Sequence, residues 1–364
     1  MIRLIWPYIQ YEDVEQAFRE IFDSGMFTRG QWSQALPRAV CAYTGARYAF
    51  NATSATTALS ASLEVLGVGP GDEVIVGDFS FPASVNVVEA CGAVPVFADV
   101  DRETFNMLPE ELEAKITSKT KAVMFVSALG NPSGLLQIRG ICQKHGIPLI
   151  NDAACAIGSS VDGQKVGSIA DIACFSYHPR KLLTSGEGGS ITTSNSEWAR
   201  QLEIKLLHGA TVADGKMDFV TYGYNYRLPE LQCLMVIKQI EKLDDIVRRR
   251  IETQQQYVRL LQPAGYQSQK HDAGVVHNMQ SVVFVVPNGV DRDGLIDHLA
   301  QRDIESTIGT YCLSNTSYYK AKYNSVQPTA LWLEQNTITL PCYDGVDAGL
   351  VAREVLAYTE GKGN

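Results

Sequence analysis

Between Tyr48 and Thr193 short, continuous apolar runs alternate with segments of helical periodicity, and few architectures accept that rhythm. Residues 56–66 carry apolar side chains at helical spacing, a Gly/Pro/Asp turn covers 67–72, and the apolar run 73–76 follows. Residues 82–91 read as helix again and 94–98 as strand, while 122–126 and 147–152 are two more strands flanking a helical stretch at 135–145. Strands that are apolar throughout, rather than at alternate positions, are buried on both faces. The pattern therefore predicts a mostly parallel sheet with helices on either side. In such sheets ligands bind beyond the carboxyl ends of the strands.

The character changes after Arg227. Residues 229–261 read as one long helix, with Leu231, Leu234, Met235, Ile237, Ile240, Leu243 and Ile246 forming an apolar stripe opposite a charged face. A separate unit follows, with strands at 281–286 and 338–340 and helices at 293–302 and 348–359. A chain of 364 residues exceeds what one compact core usually carries. The expected division is a large domain over 1–245, including an N-terminal arm and the start of the linking helix, and a smaller C-terminal α+β domain over 246–364.

Composition removes several function classes. A formal charge of −9 argues against a nucleic-acid binder, which needs a basic face. The eight cysteines are scattered without a C-x-x-C pair, and the six histidines are dispersed without an H-E-x-x-H pairing, so neither disulfides nor a metal site is expected. No apolar run reaches membrane-span length and the N-terminal one is too short for a signal peptide, which makes a reducing cytoplasm the expected location.

The chemistry concentrates at two strand ends. Asp152 closes the run 147–152, and Lys181 follows the apolar strand 172–176 just before Gly186-Glu187-Gly188-Gly189. Alone, Asp152 reads as a helix cap and Lys181 as a solvated charge. Together they are what a pyridoxal phosphate (PLP) site needs: an amine to form an imine with the cofactor aldehyde, and a carboxylate to keep the pyridine nitrogen protonated. Ser54-Ala55-Thr56 opens a helix whose free N–H groups and dipole suit the phosphate, and Ser176 offers another hydroxyl. Phe81, after a strand, has a ring that can stack on the pyridine, although an aromatic there is more often core. No glycine fingerprint for a nicotinamide cofactor occurs in strand–turn–helix context, which sets an oxidoreductase aside.

These motifs, with Gly69-Pro70-Gly71-Asp72-Glu73-Val74, Gly92-Ala93-Val94-Pro95-Val96-Phe97, Gly130-Asn131-Pro132, Asp152-Ala153-Ala154, 175–181, Tyr224-Asn225-Tyr226-Arg227 and Leu340-Pro341, run over nearly the whole chain. The sequence resembles the DegT/DnrJ/EryC1/StrS sugar aminotransferases, which are fold-type-I PLP enzymes. The resemblance implies an aspartate-aminotransferase-like α/β fold, a three-layer domain with a smaller α+β domain. By its pattern Lys181 is the Schiff-base lysine, Asp152 the pyridinium partner and Phe81 the stacking aromatic, while Ala55, Thr56 and Ser176 contact the phosphate. Asn225 matches an asparagine that reaches the phosphate of the other subunit, which implies a homodimer with shared active sites. Arg227 matches an arginine near the substrate, and 311–316, with Tyr311 and Thr316, takes the place of the family's usual substrate segment. Three further departures stand out: Ala55 where Gly is usual, Ile157 where His is usual, and Cys155 where a Gln normally contacts the cofactor's phenolic oxygen.

The resemblance implies amino transfer from L-glutamate to a keto or aldehydo sugar, with nucleotide-linked sugars of surface-polysaccharide or antibiotic pathways first. A free sugar acid such as an 8-oxo-3,8-dideoxy-octulosonate is the alternative acceptor, and a non-catalytic PLP-binding regulator the alternative role. In the related PLP sugar dehydratases a histidine replaces the lysine, so Lys181 argues against that activity.

Overall fold

Seven strands form the central sheet of the computed structural model, which describes residues 1–361. Their order across the sheet is Tyr48–Ala52, Gly189–Thr193, Ile172–Ser176, Leu149–Asp152, Thr120–Val126, Glu73–Gly77 and Val94–Ala98. Gly189–Thr193 runs antiparallel to both neighbours, and the remaining pairings are parallel. The continuous apolar runs make sense in cross-section. Val74 and Val76 point into one core while Ile75 points into the other, and Ala122 and Met124 are opposed in the same way to Val123 and Phe125. Both faces are therefore dry, with helices Gln31–Thr44, Leu135–His145 and Glu230–Ile240 on one side and Ala55–Val65, Ala83–Ala90 and Ser196–Lys205 on the other.

The stretch expected as one helix is two, Glu230–Ile240 and Leu243–Leu261. Ile237, Leu243, Ile246 and Val247, on both sides of the break, belong to the large core, and only further along the second helix do Tyr257 and Leu261 enter the core of the C-terminal unit. Asp244 and Asp245 in the first turn favour a new helix N-terminus there.

The C-terminal unit has a four-stranded antiparallel sheet, in the order Gln267–Ser268, Val282–Val285, Thr337–Leu340 and Thr307–Ile308, packed against helices Arg292–Ala300 and Ala348–Gly361. The N-terminal arm is stitched to this unit: Ile2 pairs with Ile304, and the Cys342 N–H donates to the Leu4 carbonyl. Arg250 on the linking helix is buried, and its guanidinium donates to the carbonyls of Met279, Gln280 and Cys342 and to the Tyr8 hydroxyl. Such a buried charge is tolerable only because acceptors surround it. Among the described residues, no helix is long and apolar enough to cross a membrane.

Candidate active site

Strand register assembles one end of the site. Asp152 lies opposite Cys174, so Ser176 stands two residues further along the neighbouring strand. Ser176 is opposite Gly189, and Gly189 is opposite Ala52. Two residues beyond Ala52, Ser54 caps the helix Ala55–Val65, accepting from the Thr57 amide at 3.1 Å. The amides of Ala55 and Thr56 belong to the first turn, where a helix has donors to spare. Gly189 is what lets these pieces meet: a Cβ there would lie 2.7 Å from the Phe175 carbonyl oxygen and 2.8 Å from that of Ser54.

Asp152 is buried. One carboxylate oxygen accepts from the Ser84 hydroxyl at 2.7 Å and the other from the Ala154 amide at 3.2 Å. Burial pushes this carboxyl above its ordinary range, against the pull of those two bonds and of the Lys181 charge.

Lys181 stands in the loop between Ser176 and Gly189, with its N–H donating to the His178 carbonyl at 2.8 Å. The loop is tied from two sides. Gln239 both accepts from the Thr184 amide and donates to its carbonyl, and Gln280 donates to the Arg180 carbonyl at 2.7 Å. Asn278, two residues before Gln280, donates to the carbonyls of Cys155 and Ile157 at 2.9 and 2.7 Å. The Lys181 ammonium thereby meets Cys155, with Nζ 3.0 Å from Sγ. Burial pulls the ammonium down, but contact with the Cys155 sulfur and the charge of Asp152 outweigh it, leaving the amine above the ordinary lysine range. Gly130 fits beneath: a Cβ there would lie 2.0 Å from Asn278 Oδ1 and 2.9 Å from the Cys155 carbonyl oxygen.

Phe81 follows the two-residue strand Phe79–Ser80 and is linked to Asp152 through the Ser80–Ser84 hydroxyl contact at 2.9 Å. It is 64% exposed, and its ring tilts against that of Tyr311, itself 41% exposed, at 6.4 Å between centroids. The strand Tyr311–Cys312 pairs with Phe79–Ser80, bringing the C-terminal segment onto the large unit. The Thr316 hydroxyl donates to the Leu313 carbonyl at 2.7 Å and shapes that segment's turn. Asn225 and Arg227 lie elsewhere: Asn225 is bridged to Leu207, and among the described residues no hydrogen bond joins either to Asp152, Lys181 or Ser176. Flanking Asn225, Tyr224 bonds Glu64 and stacks on Tyr226 at 4.6 Å.

The model of the DegT/DnrJ/EryC1/StrS aminotransferase family matches residues 9–356. The chain belongs to this family. Among solved structures, the aminotransferase TlmJ from Streptoalloteichus hindustanus superposes with a TM-score of 0.94 at 28% identity, covering 100% of both chains. A Streptococcus pneumoniae protein described as a sugar aminotransferase gives 0.90 at 28% identity over 98% of each chain in its pyridoxamine phosphate form. Its PLP form gives 0.88 at 29% identity, over 97% of this chain and 96% of that one. Helicobacter pylori PseC, at 24% identity and 0.93 over 99% of each chain, shares the fold. The α/β aminotransferase architecture with a mostly parallel sheet is thus established, and this chain is a PLP-dependent sugar aminotransferase.

The aminotransferase's own residues fit that cofactor. A buried carboxylate suits a protonated ring nitrogen, an amine stands within reach of that carboxylate's field, and unspent helix-start amides with the Ser176 hydroxyl suit a phosphate. Ser84, Asn278 and Gln280 were not apparent from the sequence. Ser84 reads there as an ordinary residue of a helix start, and Asn278 and Gln280 lie far along the chain from the loops they hold. The Asn278-to-Gln280 segment sits between two apolar runs and carries no motif, so only tertiary structure reveals its work.

Proposed function

We propose that this aminotransferase moves an amino group from L-glutamate to a keto or aldehydo sugar, most readily a nucleotide-linked one, with Lys181 and Asp152 as its central pair. The observation that carries the residue assignment is a buried carboxylate at a strand end with a half-buried lysine in the loop after the neighbouring strand, beside an anion-ready helix start. PLP, when bound, supplies an electron sink for the carbon from which the proton is removed. Asp152 would hold the proton on the ring nitrogen. Once its charge is met by that proton, one of the two attractions keeping Lys181 protonated is gone, and the amine is freer to act as nucleophile. Nζ would then take the proton from the donor's α-carbon in the first half-reaction and deliver one to the acceptor carbon that receives the nitrogen in the second. The amides of Ala55 and Thr56 and the hydroxyls of Thr56 and Ser176 would orient the phosphate, and Phe81 would cover the ring.

The acceptor reading draws support from the exposed Phe81–Tyr311 rim, whose aromatic faces suit a sugar or base larger than glutamate. Arg227 and Thr316 are proposed to border that region. A homodimer with Asn225 completing the partner's phosphate site is favoured by a second feature. The hairpin Ala210–Ala213/Lys216–Phe219 and the residues after it expose Val212, Met217, Phe219, Val220 and Tyr222, an apolar surface that a second copy would cover. We place the enzyme in the cytoplasm.

The acceptor is tested by supplying glutamate with a UDP-linked 4-ketosugar and, separately, with an 8-oxo-3,8-dideoxy-octulosonate. Amination of the first supports the reading, exclusive use of the second transfers the enzyme to free sugar acids, and glutamate turnover with neither contradicts the substrate class. Subunit sharing is tested by mixing Lys181→Ala and Asn225→Ala proteins, each inactive alone. Recovered activity is expected, and none after subunit exchange would argue for self-contained sites.

A further inference from the structure

Asp78, just beyond the Glu73–Gly77 strand, is fully buried and takes no part in the chemistry above. Its donors come from one short stretch of the C-terminal unit. Its carboxylate accepts from the Ser314 hydroxyl at 2.5 Å, the Ser314 amide at 2.7 Å and the Cys312 thiol at 3.2 Å. Its backbone carbonyl also accepts from the Leu313 amide at 3.0 Å. Burial pushes the Asp78 carboxyl up to about 6 despite these bonds, so keeping a charge here costs solvation that a neutral side chain would avoid. Just beyond the neighbouring strand, Asp99 accepts from the amides of Thr329 and Ala330 at 3.0 Å each and so anchors the helix Pro328–Asn336. Asp78 holds the part that matters for recognition, because the clasped residues directly follow Tyr311, and Tyr311 pairs with Ser80 beside Phe81.

We propose that Asp78 is a positioning residue for the sugar acceptor: by clasping Cys312, Leu313 and Ser314 it sets Tyr311 against Phe81 and fixes the rim over which the acceptor enters. This rests on the sugar-aminotransferase reading of the site. The small donor is handled deeper, at Lys181 and Asp152, and does not need the rim. Loosening the clasp therefore affects the two halves of the reaction unequally. A general loss of fold would slow both.

The test follows each half-reaction separately in Asp78→Asn, with Ser314→Ala as a milder variant that keeps the Ser314 amide bond to Asp78 and removes the hydroxyl, which also accepts from the Gln327 amide at 3.1 Å. Glutamate is given to the PLP-loaded enzyme, and a UDP-linked 4-ketosugar to the pyridoxamine phosphate-loaded enzyme. In Asp78→Asn, kcat/KM for the ketosugar should fall about tenfold or more, mainly through KM, while the glutamate half-reaction stays within about twofold. Ser314→Ala should show a smaller loss with the same asymmetry, and it carries the test if Asp78→Asn does not fold. Equal losses in both halves, or an unchanged ketosugar step, overturn the proposal. If the wild type accepts glutamate but refuses this ketosugar, the nucleotide-linked reading fails and the clasp is judged by hydrogen exchange. The amides of Leu313 and Ser314 should then exchange at least about tenfold faster in Asp78→Asn, and unchanged exchange overturns it.

Discussion

Asp152 and Ser176 end strands of four and five residues inside a seven-stranded sheet, and Lys181 sits in a loop tied by Gln239 and Gln280. Phe81 and Tyr311, by contrast, stand just after and on paired two-residue strands where the C-terminal unit meets the large one, and both rings are substantially exposed. The proposed cofactor side is inherited from the central sheet, with Asp152 and Ser176 buried and set by strand register. The rim is built from loops and held by the buried carboxylate of Asp78. Proton transfer at one carbon demands fixed geometry, whereas choosing an acceptor only demands a shaped and adjustable edge.

Substitutions on the two sides should therefore behave differently. Lys181→Ala should give the largest effect: amino transfer falls by at least about 10³-fold in both half-reactions while PLP is still retained after desalting. Residual turnover near wild type would move the nucleophile to another lysine. Asp152→Asn should come next, lowering both half-reactions by about 10²–10³-fold in single-turnover experiments with little change in KM for either substrate. A loss confined to the acceptor step would break the division between the two sides. Phe81→Ala and Tyr311→Ala should raise KM for the acceptor by about 2- to 10-fold, and in Tyr311→Ala the glutamate step should be nearly untouched.

Two smaller effects probe the electrostatics of the buried side. Because burial raises the Asp152 carboxyl in the folded chain, that group keeps its proton there at pH values where the unfolded chain has lost it. Stability of the cofactor-free protein should then fall as pH rises through the raised value, and this contribution should vanish in Asp152→Asn. Urea midpoints followed upward in pH from the ordinary carboxylate range check the sign, with a shallower slope expected in the variant. Cys155 helps hold Lys181 protonated, so Cys155→Ala should shift the pH dependence of PLP loading toward lower pH. A shift in the opposite direction would mean that the thiol contact does not govern the amine.

The fold was legible because the same residues encode it at every level. Val74, Ile75 and Val76 read as a two-faced buried strand, and they are one. The single helix expected over 229–261 was not legible as two, since the apolar stripe runs on through the break into the same core, with Ile237, Leu243 and Ile246 all packed there. On the cofactor side, Asp152, Lys181 and Ser176 announce themselves by following apolar strands. Their supports Ser84, Asn278 and Gln280 do not, because hydrogen bonds spanning 68 to 123 positions leave no local pattern. The acceptor side was the least readable: Tyr311 and Thr316 lie in a stretch without periodicity, and Asp78 looks like any acid after a strand.

The central claim is that the Lys181 amine bonds reversibly to PLP while Asp152 faces the ring nitrogen. Its most direct test is borohydride reduction of the PLP-loaded protein, followed by proteolysis and mass spectrometry. The account predicts that the phosphopyridoxyl group is fixed on the peptide containing Lys181. Label on a different lysine, or none after reduction of a visibly loaded protein, would contradict it.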